Sequence, residues 1–494
     1  MRRFLGLMLA VLGAAVLAAT AGAVPVRPML STGAFVPMAG ASNPCQNGGL
    51  PCYVPQELQQ AYSFPTGPDA PTGAGQTIVV VVSYGAPFVR DDLDTFGMAM
   101  GIPYPPNLTI VGQAASVPGT EGSGATYTWE IETDLDVEWA YAMAPRAHIV
   151  LAVANSDDTA DVAQLLSEVL PRYPGAIVTQ SFGLDETGPA SDPNLAAELD
   201  PLYLNVLRSG GTVLASAGDL GASNGTELEA MEAPPELDFT PSAMAAYPAS
   251  DPLVLAVGGT MGNPYPDGLL TDAGTYGGEQ AWNEISPFNG FPGATGGAPS
   301  VVFDAPPWQR PLHTKDRLEP DVSYNAALVD GTVVVASCRP AGPGSVVLDP
   351  ACVDSSRQGF ISVAGTSAGT PQWAAIVALA NELRARRVRP PVGLVSPLLY
   401  DLARNPRTYA RDFHDVTVGS NALDFRAIGG PVSDFGFTAA PGYDLTTGLG
   451  TPNVSNLLAD LVNGGSGAIP GNLSHGNKGG NGKGKGPKHH RLAP

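Results

Sequence analysis

The sequence predicts an α/β fold, a mostly parallel sheet flanked by helices on both faces. Three observations carry that prediction. Gln76 to Val82 is a continuous β-branched run without polar alternation, the pattern of a strand buried on both faces. Short apolar strands then alternate with helical patterns along the chain, as parallel pairing requires. Finally, 494 residues with 44% hydrophobic content can enclose a large core and exclude wholesale disorder.

Taken in order, residues 1–23 read as a secretory leader, with Arg2 and Arg3, an apolar run from Phe4 to Ala18, and the small residues Ala21-Gly22-Ala23. That run is short for a membrane span of about 20 residues, and no later stretch is long and apolar enough. The protein is therefore expected outside the cell, with no stable membrane association. In that setting the four cysteines read as two local disulfides, Cys45–Cys52 and Cys338–Cys352, one of three possible pairings. Residues 24–50 are rich in Pro, Ser and Gly and are expected to lack regular structure except near Cys45. Residues 51–464 form the main domain. In it, Tyr53–Tyr62 reads as an amphipathic helix with Pro55 early in it. Helices are predicted over Asp91–Met100, Tyr127–Ala144, Asp161–Leu170 and Pro201–Ser209. Strands are predicted over Ile149–Val153, Ile177–Gln180, Thr212–Ser216, Val254–Val257 and Phe360–Val363. From 465 to 494 the composition is that of a flexible Gly/Lys tail. The formal net charge is −21, yet Lys478, Lys483, Lys485, Lys488 and Arg491 crowd that tail. So acidic a body argues against a nucleic-acid partner and is consistent with work at low pH.

Gly365-Thr366-Ser367-Ala368-Gly369-Thr370-Pro371 leads straight into an Ala-rich helical run. Thr366 or Ser367 could simply cap that helix, with Pro371 in its first turn. Alternatively Ser367 is a nucleophile with helix N-terminal amides beside it. A nucleophilic serine needs a base. Among the histidines of the main domain, His148 enters a strand, and His313 and His414 lie in polar loops. Carboxylates offer a substitute. In the helix over 127–144, Glu132, Leu135, Asp136, Trp139, Ala140 and Met143 form one inward stripe, whereas Glu130, Asp134 and Glu138 are expected on a solvated face. Two like charges on a buried face leave one carboxyl protonated, which poises the pair to deprotonate a serine at acid pH. On spacing alone, a solvated helix edge remains the other reading. Asp219, in Ser216-Ala217-Gly218-Asp219, follows a strand and is either a turn former or a side chain aimed into a site at the strand's C-terminal end. In the second case it donates a hydrogen bond to a reacting carbonyl only when protonated.

With Glu132-x-x-x-Asp136, Ser216-Ala217-Gly218-Asp219 and Gly365-Thr366-Ser367-x-x-x-Pro371 in that order, the chain resembles the sedolisin family of serine-carboxyl peptidases, which have a subtilisin-like fold. The resemblance implies Glu132 as base, Asp136 as its support, Asp219 as oxyanion donor and Ser367 as nucleophile. It further implies a monomeric, acid-acting endopeptidase whose partners are protein or peptide substrates. Ile177 to Gly183 resembles the strand edge where substrate backbone pairs. Tyr247 to Ser250, Val257 to Thr260 and Pro320 to Ser323 are also similar to family segments. Phe413 to Gly419 and Ala440 to Asp444 resemble the family's calcium segments, with Asp415 and Asp444 binding Ca²⁺ by side chain and Val416, Ala440 and Gly442 by carbonyl, an all-oxygen set. Two features depart from the pattern. Thr295 to Ser300 carries Ala298 where a third glycine is usual, which is expected to alter a substrate-facing loop. The family is made with a long folded prodomain, whereas residues 24–50 alone separate the leader from the match. That motivates an alternative, an inactive secreted binding or scaffold protein that keeps the fold and the calcium site. An esterase reading lacks both a Gly-x-Ser-x-Gly elbow and a histidine partner.

Overall fold

The computed structural model describes residues 25–29, 31–37, 45, 52–112, 124–187, 193–232, 241–262, 276–287, 290, 292–329, 333–338 and 358–469. Strands β1 (Arg27–Pro28) and β2 (Ser31–Pro37) come first, then helix α1 (Pro55–Ala61). The β-branched run forms β3 (Thr77–Ser83), buried from Ile78 onward. Next come α2 (Val89–Ala99), β4 (Asn107–Val111), α3 (Gly124–Met143), β5 (His148–Ala154), α4 (Thr159–Val169), β6 (Ile177–Gln180) and β7 (Phe182–Asp185). They are followed by α5 (Pro193–Arg208), β8 (Thr212–Ser216), α6 (Thr226–Glu232), β9 (Ala246–Tyr247), β10 (Leu255–Gly262) and β11 (Glu279–Ala281). Four short strands, β12 (Asn283–Ile285), β13 (Pro292–Ala294), β14 (Pro299–Asp304) and β15 (Asp316–Leu318), precede β16 (Val322–Asn325), β17 (Val333–Cys338) and β18 (Gln358–Ala364). The chain then enters α7 (Thr366–Arg386).

The central sheet has eight strands in the order β11-β10-β8-β6-β3-β5-β4, with β16 joined to β10. Only the β10–β11 pairing is antiparallel. Helix α7 crosses this sheet and is buried from Thr366 through Glu382. Its apolar and small residues run all round the axis, as a fully buried helix requires. Gly369 lets it approach closely, because a Cβ there would stand 2.6 Å from the Cβ of Tyr324. The Trp373 indole donates to the Ser323 carbonyl at 3.0 Å, and truncating so large a buried side chain costs about 3–5 kcal/mol.

The structure departs from the sequence expectations at several points. Segment 24–50 is not devoid of regular structure: Arg27 and Pro28 pair with β7, and β2 pairs with β18. Both are strand additions to existing edges, which need little intrinsic propensity. The strand predicted at Phe360–Val363 exists, but it lies between β17 and β2 in a separate antiparallel sheet. Pro201 sits inside α5 rather than starting it. The acids Glu130, Asp134 and Glu138 are not solvated: they are 6%, 1% and 0% exposed. That face of α3 is covered by α2 and β17, with the Ala336 amide donating to Glu138 at 3.0 Å. The Cys45–Cys52 disulfide forms, whereas Cys352, the predicted leader and residues 470–494 lie outside the described residues. The start of the predicted tail is docked, since the Gly467 amide donates to the Val392 carbonyl at 2.7 Å. No described helix is long and apolar enough to cross a membrane.

Candidate active site

Strands β6 and β8 both end at one edge of the sheet, and each delivers a polar residue there, where open α/β sheets place their sites. Ser181 follows β6, and Asp219 follows β8 after Gly218, whose φ of 106° suits glycine. The chain enters α7 beside them through Gly365, with a φ of 125°. Neither neighbouring hydroxyl caps the helix, so the capping reading does not hold. Thr366 Oγ1 donates to Asp219 Oδ1 at 2.8 Å, and Ser367 Oγ donates to the Ser181 carbonyl at 3.2 Å. Ser367 is fully buried.

Helix α3 brings Glu132 and Asp136, both 0% exposed, to the same place. Ser181 Oγ donates to Asp136 Oδ1 at 2.5 Å, so Ser181 ties the acid pair to the serine through its side chain and its carbonyl. Neither oxygen of Glu132 has a hydrogen-bond partner among the described residues. Burial raises the Glu132 pKa well above the usual range and the Asp136 charge raises it further, while the Ser367 hydroxyl pulls the other way. That hydroxyl therefore lies near enough to favour the ionised base even though its proton is aimed at Ser181. Burial also raises the Asp136 pKa, opposed by Ser181. A pair so placed shares one proton.

Asp219 accepts from the Thr366 amide and hydroxyl through Oδ1, and its buried Oδ2 has no partner among the described residues. Burial pushes its pKa up to about 8, against those two bonds. It is therefore protonated at acid pH, with an O–H available for a developing oxyanion. The stretch 294–298 pins this loop: the Ala294 amide donates to the Asp219 carbonyl at 3.0 Å and Gly296 to the Gly218 carbonyl at 2.6 Å. A Cβ on Gly296 would lie 1.9 Å from the Ala217 carbonyl oxygen. Ala298 is buried and its carbonyl accepts from the Glu319 amide, so its methyl is absorbed by packing.

Asp136 and Ser367 thus meet at Ser181 and Asp219 meets Thr366, with Glu132 beside Asp136 and Ser367; the roles of Ser181 and Thr366 are ones the sequence did not reveal. The signal for Ser181 was its position, a polar residue immediately after a buried strand. Among the described residues the histidines stand apart from this cluster: His148 bonds Thr109, His414 stacks on Tyr276 at 3.8 Å, and His313 is exposed. Asp415 and Asp444 also come together around one loop. Gly442 N–H donates to both Asp415 oxygens and Ala440 N–H to Asp444 Oδ2. Asp444 Oδ1 is taken up by Thr446 and Thr447. The exposed Asp415 carboxylate and Asp444 Oδ2 keep lone pairs for a hard cation, so the donor set fits Ca²⁺. Among the described residues no group of three or more His, Cys, Asp or Glu side chains could hold a metal, which leaves two carboxylates and backbone carbonyls as the ligands available.

No family model matches the chain. Among curated proteins it is 31% identical over 427 residues to kumamolisin of Bacillus sp. (strain MN-32), a match covering 86% of this chain and 66% of that protein. The chain belongs to the sedolisin family. Sedolisin of Pseudomonas sp. (strain 101) is 25% identical over 409 residues, covering 82% of this chain and 61% of that protein. Human tripeptidyl-peptidase 1 is 29% identical over 423 residues, covering 83% and 64%. The chain therefore spans just under two thirds of the length of these relatives. A solved structure of Pseudomonas sedolisin superposes with a TM-score of 0.63 at 23% identity, covering 84% of this chain and 99% of that one. That likeness shows the subtilisin-like α/β fold.

Proposed function

We propose that this chain is a secreted, acid-acting serine-carboxyl endopeptidase. The observation that carries the reading is Ser181, which holds Asp136 with its hydroxyl and the Ser367 hydroxyl with its carbonyl. Ser367 rotates from Ser181 to Glu132, gives up its proton to the Glu132/Asp136 pair, and attacks the substrate carbonyl. The developing oxyanion is met by the Ser367 amide and by protonated Asp219. The pair returns its proton to the leaving amine, and water then hydrolyses the acyl-enzyme.

The test is hydrolysis of denatured protein from about pH 2 to about pH 8, wild type beside Glu132→Gln and Ser367→Ala. Activity confined to acid pH, and reduced about 10²–10⁴-fold or more in both variants, is the expected outcome. Full activity in either variant would overturn the assignment.

Family membership and the converging Asp415 and Asp444 loops support a structural Ca²⁺, held also by the Val416, Ala440 and Gly442 carbonyls. Bound there, Ca²⁺ would neutralise the two carboxylates and tie the loops around 415 and 442 together. Adding Ca²⁺ to about 100 times its dissociation constant should raise stability by about 2.7 kcal/mol. The melting temperature of Asp415→Ala should not respond to Ca²⁺.

A further inference from the structure

At its far end helix α7 runs out into Arg384-Ala385-Arg386-Arg387-Val388-Arg389-Pro390, exposed from Ala385 through Pro390. The turn that stops it is a Schellman motif: the Arg389 amide donates to the Arg384 carbonyl at 2.9 Å and the Val388 amide to the Ala385 carbonyl at 3.0 Å. That motif sets its left-handed position for glycine. Val388 holds it instead, at a φ of 55°, where a β-branched side chain is strained. The side chain gains nothing from packing in return, since Val388 is 95% exposed. A valine held out in this way serves neither the turn nor the core.

The charges around it are also left over from folding. Arg386 pairs with Glu382 at 2.7 Å. Among the described residues Arg387 and Arg389 meet neutral acceptors alone, the Asn463 side-chain oxygen and the Asn463 and Gly464 carbonyls. Buried Arg384 likewise donates to the Pro390, Leu461, Gly464 and Gly465 carbonyls and to the Ser466 hydroxyl. Three guanidinium charges therefore crowd the turn with no carboxylate against them among the described residues. The basic end of the chain follows on from the same place. Ser466 Oγ donates to the Pro391 carbonyl at 2.8 Å and the Gly467 amide to the Val392 carbonyl at 2.7 Å. Residues 470–494 then carry Lys478, Lys483, Lys485, Lys488 and Arg491 and no acid.

We propose that this basic turn docks the protein reversibly on an anionic lipid bilayer, with Val388 entering between acidic headgroups that Arg387 and Arg389 bind. Guanidiniums around one exposed apolar side chain suit that interface better than a soluble polyanion, which offers the valine no apolar contact. The net charge of −21 does not prevent docking. At physiological salt, charges further off than about 8 Å are largely screened, so the turn and the basic stretch decide the contact and the acidic remainder orients the molecule. Ser367 lies near the opposite end of α7, about 30 Å away along the helix, so docking leaves the residues around it clear of the bilayer. Docking of this kind needs neither a membrane span nor the peptidase chemistry.

The experiment measures co-sedimentation of the full chain at neutral pH with vesicles of equal parts phosphatidylcholine and phosphatidylserine, and with phosphatidylcholine vesicles alone. Binding is expected to the first alone and should weaken as salt rises. Arg387→Gln/Arg389→Gln, which keeps a donor at each position, should weaken it about 25-fold, at about fivefold per basic residue. Val388→Gly should weaken it several-fold while raising the melting temperature, because glycine relieves the backbone. Those opposite signs mark a side chain kept for contact rather than for folding. Removing residues 470–494 should weaken binding further and leave the effect of Val388→Gly in place. No binding to the phosphatidylserine vesicles would overturn the proposal, as would binding that the arginine substitutions leave unchanged. Val388→Gly that binds as well as wild type, with heparin bound as tightly as the vesicles, would overturn it in favour of a soluble polyanion.

Discussion

In the proposed mechanism, Asp219 is the residue whose protonation state most plainly sets the chemistry. Its Oδ1 is held by Thr366 and its Oδ2 is left without a partner among the described residues, so its catalytic value lies in the proton on that second oxygen. The pKa of about 8 places loss of that proton at the alkaline end of the activity profile. Asparagine can accept from Thr366 through its oxygen and donate permanently through its nitrogen. Asp219→Ala should therefore lower kcat by about 10²–10³-fold, whereas Asp219→Asn should lose less and carry its activity to higher pH. Comparing the alkaline limbs of kcat/KM for the three proteins checks this. Equal losses in the two variants would mean that Asp219 only shapes the loop.

Helix α3 shows how far one element can be read from its sequence. The inward stripe was legible because Glu132 and Asp136 share a 3.6-residue period with Leu135, Trp139 and Met143. The opposite stripe was misjudged because β17, which covers it, comes from far along the chain. Burial pushes Glu130 up to about 8 and raises Asp134 and Glu138 as well, with Asp92 of α2 adding repulsion to each. The Ser337 hydroxyl and the Ala336 amide of β17 pull Asp134 and Glu138 back only in part. These acids hold their protons more tightly folded than unfolded, so raising the pH erodes stability. Glu138→Gln keeps an acceptor for the Ala336 amide and never ionises. It should raise the melting temperature near neutral pH and leave it unchanged where all four carboxyls are protonated. Melting curves at both pH values test this, and equal shifts at the two would mean that α3 gains from packing alone. The N-terminal strands escaped sequence reading for a related reason. Short stretches such as Ser31–Pro37 carry little strand signal of their own and are fixed by the edges that receive them.

Across the whole molecule the same physics recurs. Glu186, Asp251, Glu279 and Glu319 are buried as well and all have raised pKa values, with desolvation the leading cause. The compensating hydrogen bonds are uneven: Glu279 accepts from Tyr62, Thr260, Tyr276 and Thr451, whereas Glu319 accepts from the Ala246 amide. A carboxyl with a raised folded pKa contributes stability that is fully present below the unfolded value and is lost as pH climbs through the folded one. For Asp219 that window runs from the ordinary aspartate range to about 8. Few depressed carboxylates offset this: Asp424, lowered to about 2 by Arg426, is solvent-screened. The fold should therefore be most stable on the acid side. Its melting temperature should fall steadily between about pH 4 and about pH 8, with the slope reporting protons released on unfolding. A melting temperature that instead rises towards neutrality would mean that the buried carboxyls are ionised and paired. It would also remove the physical link between the composition of this chain and work at low pH.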